Sequence, residues 1–406
     1  MDDDEPNPAE LRPGEVLAVF AKLGVSSFGG PIAHIGYFRA EIVERRRWVT
    51  DKDFADLVAL CQVLPGPTSS QLGFALGLSR GGVLGALAAF AAFTLPSAVL
   101  MVALALGASV LDGPVAAAVL EGLKIVAVAI VAQAVLGMAK SLVTDAARGV
   151  IAATACALAL LLVGIGGQLG AIAVGVVGGI LFSRRDDGPL GGQLSFRVSR
   201  SAGVVALSLF ALVLFGLPLI AITTTWSWVD VFEAFSRSGA LVFGGGHVVL
   251  PLLQSAVVEP GWVSQDDFLA GYAAAQAMPG PLFTFAGYLG AILEPGPHGL
   301  GGAVLALVAI FLPGFLLLIG VLPFWNALRV RPTIRAALRG VNAAVVGILA
   351  AALYTPVFTS AITGPLPLAL VLLCFALLVV AKLPPWLVVI IGGVGGLAIA
   401  AVQGFA

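Results

Sequence analysis

The stretch Trp48–Gly73, WVTDKDFADLVALCQVLPGPTSSQLG, returns in the same chain at Trp262–Gly287 as WVSQDDFLAGYAAAQAMPGPLFTFAG. The recurrence extends outward at a near-constant displacement. Phe28-Gly29-Gly30 reappears 215 residues later as Phe243-Gly244-Gly245, and Pro65-Gly66-Pro67 reappears 214 residues later as Pro279-Gly280-Pro281. Leu95-Pro96 reappears 217 residues later as Leu312-Pro313. Landmarks that keep their spacing over such a distance mark two copies of one unit. Both copies are hydrophobic, and glycine and proline interrupt both at the same places. That is the pattern of a secondary transporter whose site lies where the repeats meet.

Composition fixes the class. Of 406 residues, 59% are hydrophobic and 11% charged, with a mean hydropathy of +1.06. No water-soluble domain of this length has such a balance. Apolar runs long enough to cross a hydrocarbon core of about 30 Å recur from residue 83 onward, so the expected fold is an all-α polytopic membrane protein. The start, MDDDEPNPAE, is acidic and lacks a basic-then-apolar segment, so no cleaved leader is expected. Cys61, Cys156 and Cys374 lie far apart in apolar stretches without CxxC or Cys/His spacing. Neither a disulfide framework nor a metal site is indicated, and no cofactor is expected.

The chain divides into a cytoplasmic tail over 1–13, a first repeat over 14–183, a cytoplasmic linker over 184–201, a linking transmembrane helix over 202–222 and a second repeat over 223–406. Ordinary spans are expected near 83–109, 116–139, 149–165 and 168–183, and again near 300–323, 340–358, 365–381 and 385–402. Two irregular elements precede each set of four. The first breaks at Phe28-Gly29-Gly30-Pro31 and at Phe243-Gly244-Gly245-Gly246; the second breaks at the two Pro-Gly-Pro triplets. Proline removes an amide donor and obstructs the preceding turn, while glycine admits open backbone angles. In a bilayer such backbone is tolerated only beside protein or a wet cavity. Close helix packing is the other use of these glycines.

Charge sets the orientation. Arg39, Arg45, Arg46, Arg47 and Lys52 follow the first broken element, whereas residues 254–266 contain no Lys or Arg. Basic loops stay cytoplasmic, so the two copies are expected to be inverted. If the broken elements are re-entrant hairpins, threading puts Lys140, Arg148, Arg184 to Arg200, Arg329 to Arg339 and Lys382 on that same face. Hairpin arms of about 11–12 residues reach about 17 Å, enough for the midplane and too short to cross.

The phrases SFGGPIAHIGYF, RRRWVTDKDF and QVLPGPTSSQLG, with the later FGGGHVVLP, QAMPGPLFTFAGYLG and GVNAAVVG, resemble those of the chromate ion transporter family. The resemblance spans both halves and points to a long-chain, two-domain member. It implies a chromate exporter of the bacterial plasma membrane that confers chromate resistance, with sulfate as the related oxyanion. One departure stands out: the second copy reads Gly246-His247 where the first reads Pro31-Ile32-Ala33-His34, so the half-sites need not be equivalent.

The residues themselves suggest how a tetrahedral dianion is held. Broken helices expose amides and a positive dipole end. Gly29, Gly30, Gly244, Gly245, Gly66 and Gly280 allow close backbone approach, and Thr68, Ser69, Ser70 and Thr284 add hydroxyls just after the breaks. Helix capping is the competing use of those hydroxyls. Lys22 aligns with Arg237, and two cations at matching places suit a divalent anion unless they snorkel to the interface. Gln62 and Gln276 also align, one turn before each triplet, as amide donors or as ties between helices. His34, His247, Glu121 and Lys124 are the proton-coupling candidates, although Glu121 and Lys124 also suit a local ion pair. HExxH, GxSxG and GxxxxGK[ST] are absent, so no enzyme, catalytic residue or nucleotide-driven pump is expected. The reading is secondary active chromate efflux by alternating access. Transport of sulfate or another oxyanion and a passive anion channel are the alternatives. The expected partners are the oxyanion, the lipid bilayer and a second copy in a homodimer; nucleic acid is not one.

Overall fold

The fold is seen in a computed structural model that describes residues 12–108, 113–162, 165–182, 198–224, 226–243, 246–294, 296–328 and 331–404. The described residues form helices and connecting turns, with no β-strand among them. Gly244, Gly245 and most of the 184–201 linker lie outside them. The first copy runs α1 (Pro13–Ser26), α2 (Gly30–Phe38), α3 (Asp51–Val63), α4 (Thr68–Ala108), α5 (Pro114–Leu142), α6 (Ala146–Leu161) and α7 (Ile165–Phe182). A linking helix α8 (Arg200–Thr223) follows. The second copy runs α9 (Ser227–Ala240), α10 (Gly246–Val258), α11 (Gln265–Ala277), α12 (Leu282–Ile292), α13 (Gly299–Val321), α14 (Pro332–Ala352), α15 (Pro365–Val379) and α16 (Pro385–Gln403).

The repeated sequence builds the same local structure twice. At α3 the Thr50 side chain caps the amide of Asp53; at α11 Ser264 caps the amide of Asp267, each with two aspartates in the first turn. Both helices stop at an extended residue, Leu64 or Met278, immediately before the first proline of the triplet. Each holds 13 residues and is therefore about 20 Å long, short of a bilayer core. A wide π turn follows the first break in both copies, at Arg39–Arg45 and Gln254–Val258. In α4, Gly82 (φ 60°, ψ −153°) separates the arm after the triplet from the long span behind it.

Each expected span coincides with an apolar helix, but those over Ala146–Leu161, Gly166–Phe182 and Pro365–Val379 are shorter than 18 residues, and one start moves by two turns. The helix anticipated from residue 340 begins at Pro332, two turns earlier, because proline is suited to a first helical turn and the following residues keep an apolar stripe. Among the described residues, six helices are long and apolar enough to cross a membrane. In α8 only 6% of the most apolar window is buried, as expected of a linking helix surrounded by lipid.

What joins the copies is an exchange. The amide of Gly66, at the first triplet, donates to the Val242 carbonyl at 2.7 Å; the amide of Gly280, at the second, donates to the Ser27 carbonyl at 2.8 Å. Gly66 and Gly280 are repeat equivalents, as are Ser27 and Val242, so each copy gives its partner the bond it receives. Further pins follow the same logic. Gln71 Nε2 donates to the carbonyls of Pro65 and of Gly314 in α13, both at 2.9 Å. Thr284 donates to the Pro281 carbonyl at 2.8 Å, which leaves the Ser97 hydroxyl of α4 to donate to Thr284 at 2.7 Å.

Farther out the helices are swapped. The α5 helix of the first copy packs on α15 and α16 of the second, while α14 of the second packs on α6 and α7 of the first. Glycine makes both crossings possible. A Cβ on Gly122 of α5 would lie 2.2 Å from the Gly392 carbonyl, and one on its equivalent, Gly340 of α14, would lie 2.0 Å from the Gly175 carbonyl.

The triplet glycines are conformationally obligatory. Gly66 (φ 125°) and Gly280 (φ 95°) occupy backbone regions that L-residues avoid, and a Cβ on Gly66 would meet Gln71 Nε2 at 2.7 Å. Gly66→Ala and Gly280→Ala should each cost about 1–3 kcal/mol of stability. Thermal unfolding in detergent checks this: both variants should melt below the parent, whereas Gly14→Ala, where a Cβ meets nothing within 4 Å, should not.

Candidate functional site

The two breaks face each other. After α1 the chain is extended at Ser27, then turns through left-handed Gly29 (φ 96°) and Gly30 (φ 78°) into α2. A Cβ built on Gly30 would come within 3.9 Å of His247 Nε2, and one on Gly246 within 3.4 Å of Pro31 Cγ. The amino-terminal end of α2, with its unpaired amides and positive dipole, thus looks onto the second copy's break. Gly29 is exposed, and Gly30, His247 and Gln276 are half-buried. On its far side the His247 ring is held: Nδ1 lies 2.9 Å from the Tyr272 hydroxyl and 3.3 Å from Gln276 Nε2.

The hydroxyls after the triplets have a different setting. Thr68, Ser69, Ser70 and Thr284 are all buried, and Thr284 is engaged in pinning its hairpin tip. Ser70 Oγ and Ser27 Oγ are buried without a hydrogen-bond partner, and His34 is buried beside the Ser27 backbone. His34 stands edge-on to Phe93, with ring centroids 5.4 Å apart. It sits one turn before Phe38, and Ser70 one turn before Gly73, whose Cβ position faces Phe38 and Phe20. His34 and the Gly73 position thus face one aromatic cluster of Phe20, Phe38 and Phe93 behind the first break.

The aligned cations are occupied. Lys22 is 55% exposed and pairs with Glu41 at 3.0 Å; Arg237 pairs with Glu233 on its own helix at 3.1 Å. Glu41 is the hub of a network. It also accepts from Arg46 at 2.8 Å and Arg45 at 3.3 Å, while Arg46 reaches Glu15 at 3.1 Å and Arg80 reaches Glu15 at 3.4 Å. Arg46 and Arg80 both lie over the Trp48 ring. At the equivalent place in the second copy, Ala256 stands where the first has Glu41. A cavity of about 270 Å³ opens there beside Asp230, Glu233 and Arg237. Lys124 pairs with Glu121 and, at 3.1 Å, with Asp266, tying α5 to the start of α11. Gln62 is exposed, unlike its counterpart Gln276.

Two residues at the site escaped the sequence reading. Gln71 is a single polar letter in an apolar arm, and its partner carbonyl lies 243 residues away. Tyr272 has Val58 as its repeat equivalent, so comparing the copies hides it; the clue was its position four residues before Gln276, on the same helical face.

Paired broken helices between apolar spans define a multi-pass transporter of the cell membrane, not an enzyme. The sequence profile described as Chromate transporter matches residues 14–227 and 229–397, and the chain belongs to that family. It is 30% identical over 346 residues to the chromate transport protein of Pseudomonas aeruginosa, covering 85% of this chain and 81% of that one. A probable chromate transport protein of Synechococcus elongatus is 30% identical over 359 residues, 83% of each chain. The chromate transport protein of Cupriavidus metallidurans is 29% identical over 351 residues, covering 83% and 81%. No solved structure matches the chain significantly.

The Glu41 hub makes a pH prediction. Burial alone would push its carboxyl up, but hydrogen bonds from Arg46 and Lys22 and the charges of Lys22 and Arg45 outweigh it and hold the group at about 2, against an ordinary 4.5. A depressed carboxylate stabilises the fold fully above its unfolded value and loses that contribution as pH falls toward its folded one. The melting temperature of Glu41→Gln should therefore trail the parent by a constant margin above pH 5. The gap should close between about pH 4.5 and 2. A margin that persists at pH 2 would remove Glu41 from this role.

Proposed function

We propose that the protein is a secondary active oxyanion carrier that exports chromate across the plasma membrane, by alternating access between two inverted copies. The observation that carries this reading is the exchanged pair of backbone bonds, Gly66 to Val242 and Gly280 to Ser27. It puts four interruptions of helix, two from each copy, in one place. Unwound backbone gathered at a repeat interface is where carriers bind ions. Membership of the chromate transporter family supplies the substrate.

In this reading the anion is held by the group gathered at the facing breaks: the amides at the start of α2 beyond Gly29 and Gly30, the His247 ring and the Gln276 amide. Gly66 and Gly280, with Gln71 and Thr284, act as scaffold, because their polar groups are spent on holding the tips. Thr68, Ser69 and Ser70 line the buried side. Lys22 and Arg237 are not assigned to holding the anion in this reading, since each already pairs with a carboxylate of this chain. Lys22→Gln should consequently leave the chromate KM within about twofold of the parent, a loss no larger than an exposed ion pair carries.

The test is uptake of radiolabelled chromate into inverted vesicles, with sulfate as competitor and a pH gradient imposed or collapsed. A carrier exporting chromate accumulates label above the external concentration and shows counterflow. Equilibration without accumulation would instead indicate a channel, and sulfate competing more strongly than chromate would reassign the substrate. Topology is tested separately by labelling Lys52→Cys and Glu259→Cys in a background without native cysteines. Inverted copies put the two sites in opposite compartments, and labelling from the same side would end the inverted reading.

A further inference from the structure

We propose that Tyr272 is a positioning residue of the oxyanion site: with Gln276 it fixes the neutral His247 ring so that Nε2–H points at the start of α2, where the anion sits. The inference rests on the assignment of the breaks as that site. Its argument is one of donors and acceptors. Gln276 Nε2 can only donate, and it lies on His247 Nδ1, so Nδ1 must accept. A neutral imidazole that accepts at Nδ1 carries its proton at Nε2. The Tyr272 hydroxyl approaches the same Nδ1 at 2.9 Å and is free to donate to it. Two donors converging on Nδ1 oppose protonation there, so the ring is kept uncharged as well as oriented. Nε2 is also the nitrogen nearest the Gly30 position.

Tyr272 is suited to the task. Its ring is fully buried and lies edge-on to Phe285, with centroids 5.9 Å apart, so the hydroxyl has a fixed location. The first copy has no such device. Ile32 and Val58 occupy the places of His247 and Tyr272, and Gln62 is exposed. The site is therefore single and built from unlike halves: the first copy supplies helix-end amides and the second an oriented ring. His247 then acts as an uncharged donor and not as the carrier of a coupled proton.

Two measurements test this. In vesicle transport, Tyr272→Phe should raise the chromate KM roughly three- to tenfold, the worth of one hydrogen bond, with Vmax within about twofold. His247→Gln, whose amide nitrogen falls near Nε2, should keep most transport, while His247→Asn, which mimics Nδ1, should lose it. Adding Tyr272→Phe to His247→Gln should cost nothing further, because no ring remains to orient. An unchanged KM in Tyr272→Phe, or His247→Asn outperforming His247→Gln, would overturn the proposal. The second measurement needs no substrate. The chain has three histidines, so ¹⁵N-histidine NMR with His247→Gln as the assignment control resolves this ring. The expected state is neutral with Nε2 protonated in the parent, and mixed tautomers in Tyr272→Phe. A proton on Nδ1 in the parent would refute the clamp even if transport behaves as expected. If the parent moves no chromate at all, the functional assignment falls while the NMR result still decides the role of Tyr272.

Discussion

An amide left without a partner inside lipid costs several kcal/mol, and this chain opens its helices in four places. The constraint is met by reciprocity. The Gly66 amide finds the carbonyl of Val242 and the Gly280 amide finds that of Ser27, so each copy's interruption is completed only by the other. The breaks are consequently both the weak points of each half and the joint between the halves, and Gln71 and Thr284 reinforce the joint from opposite sides.

The outer helices obey the same rule at a coarser scale. Because α5 packs on α15 and α16 while α14 packs on α6 and α7, no plane separates the copies without tearing helix contacts. The backbones approach to within a Cβ's width at Gly122 and at its equivalent, Gly340. Without a hydrophobic force between helices in lipid, such close small-residue crossings are what hold a bundle together. Conformational change in a molecule interlocked this way would be expected to move swapped units against one another, with the tips and breaks carried together at the joint.

Much of the fold was legible from the repeat. Apolar runs and the triplet positions are local signals, and the elements lie close to where those signals put them. The site was legible by type more than by partner. Gly29, Gly30, His247 and Gln276 do gather at the breaks. Lys22 aligns with Arg237 in sequence, yet each is neutralised locally: Glu41 comes from a turn 19 residues away, and Glu233 sits on the next helical turn. The Lys22–Glu41 pair depends on how a loop folds back, which spacing does not encode, whereas Glu233 and Arg237 stand at i,i+4 on one helix, a spacing the sequence does show. Tyr272 was hidden for the opposite reason, since repeat comparison selects what the halves share and the clamp is what they do not.

That asymmetry bears on why neutral donors suit this site. A carrier must release what it binds, and a dianion facing a desolvated, unpaired lysine or arginine at the midplane would be held too strongly to leave. Such a cation would also be costly to maintain when the site is empty. Amides at a helix start and an uncharged ring offer directed hydrogen bonds with only partial charge. Lys22 is paired with Glu41 and Arg237 with Glu233, so neither cation stands uncompensated. In the proposed reading the cations stabilise the surrounding helices, and the anion is recognised by shape and hydrogen bonding. Binding of that kind distinguishes a tetrahedral oxyanion from a spherical halide of smaller size, since only the former presents four acceptors to a set of diverging donors.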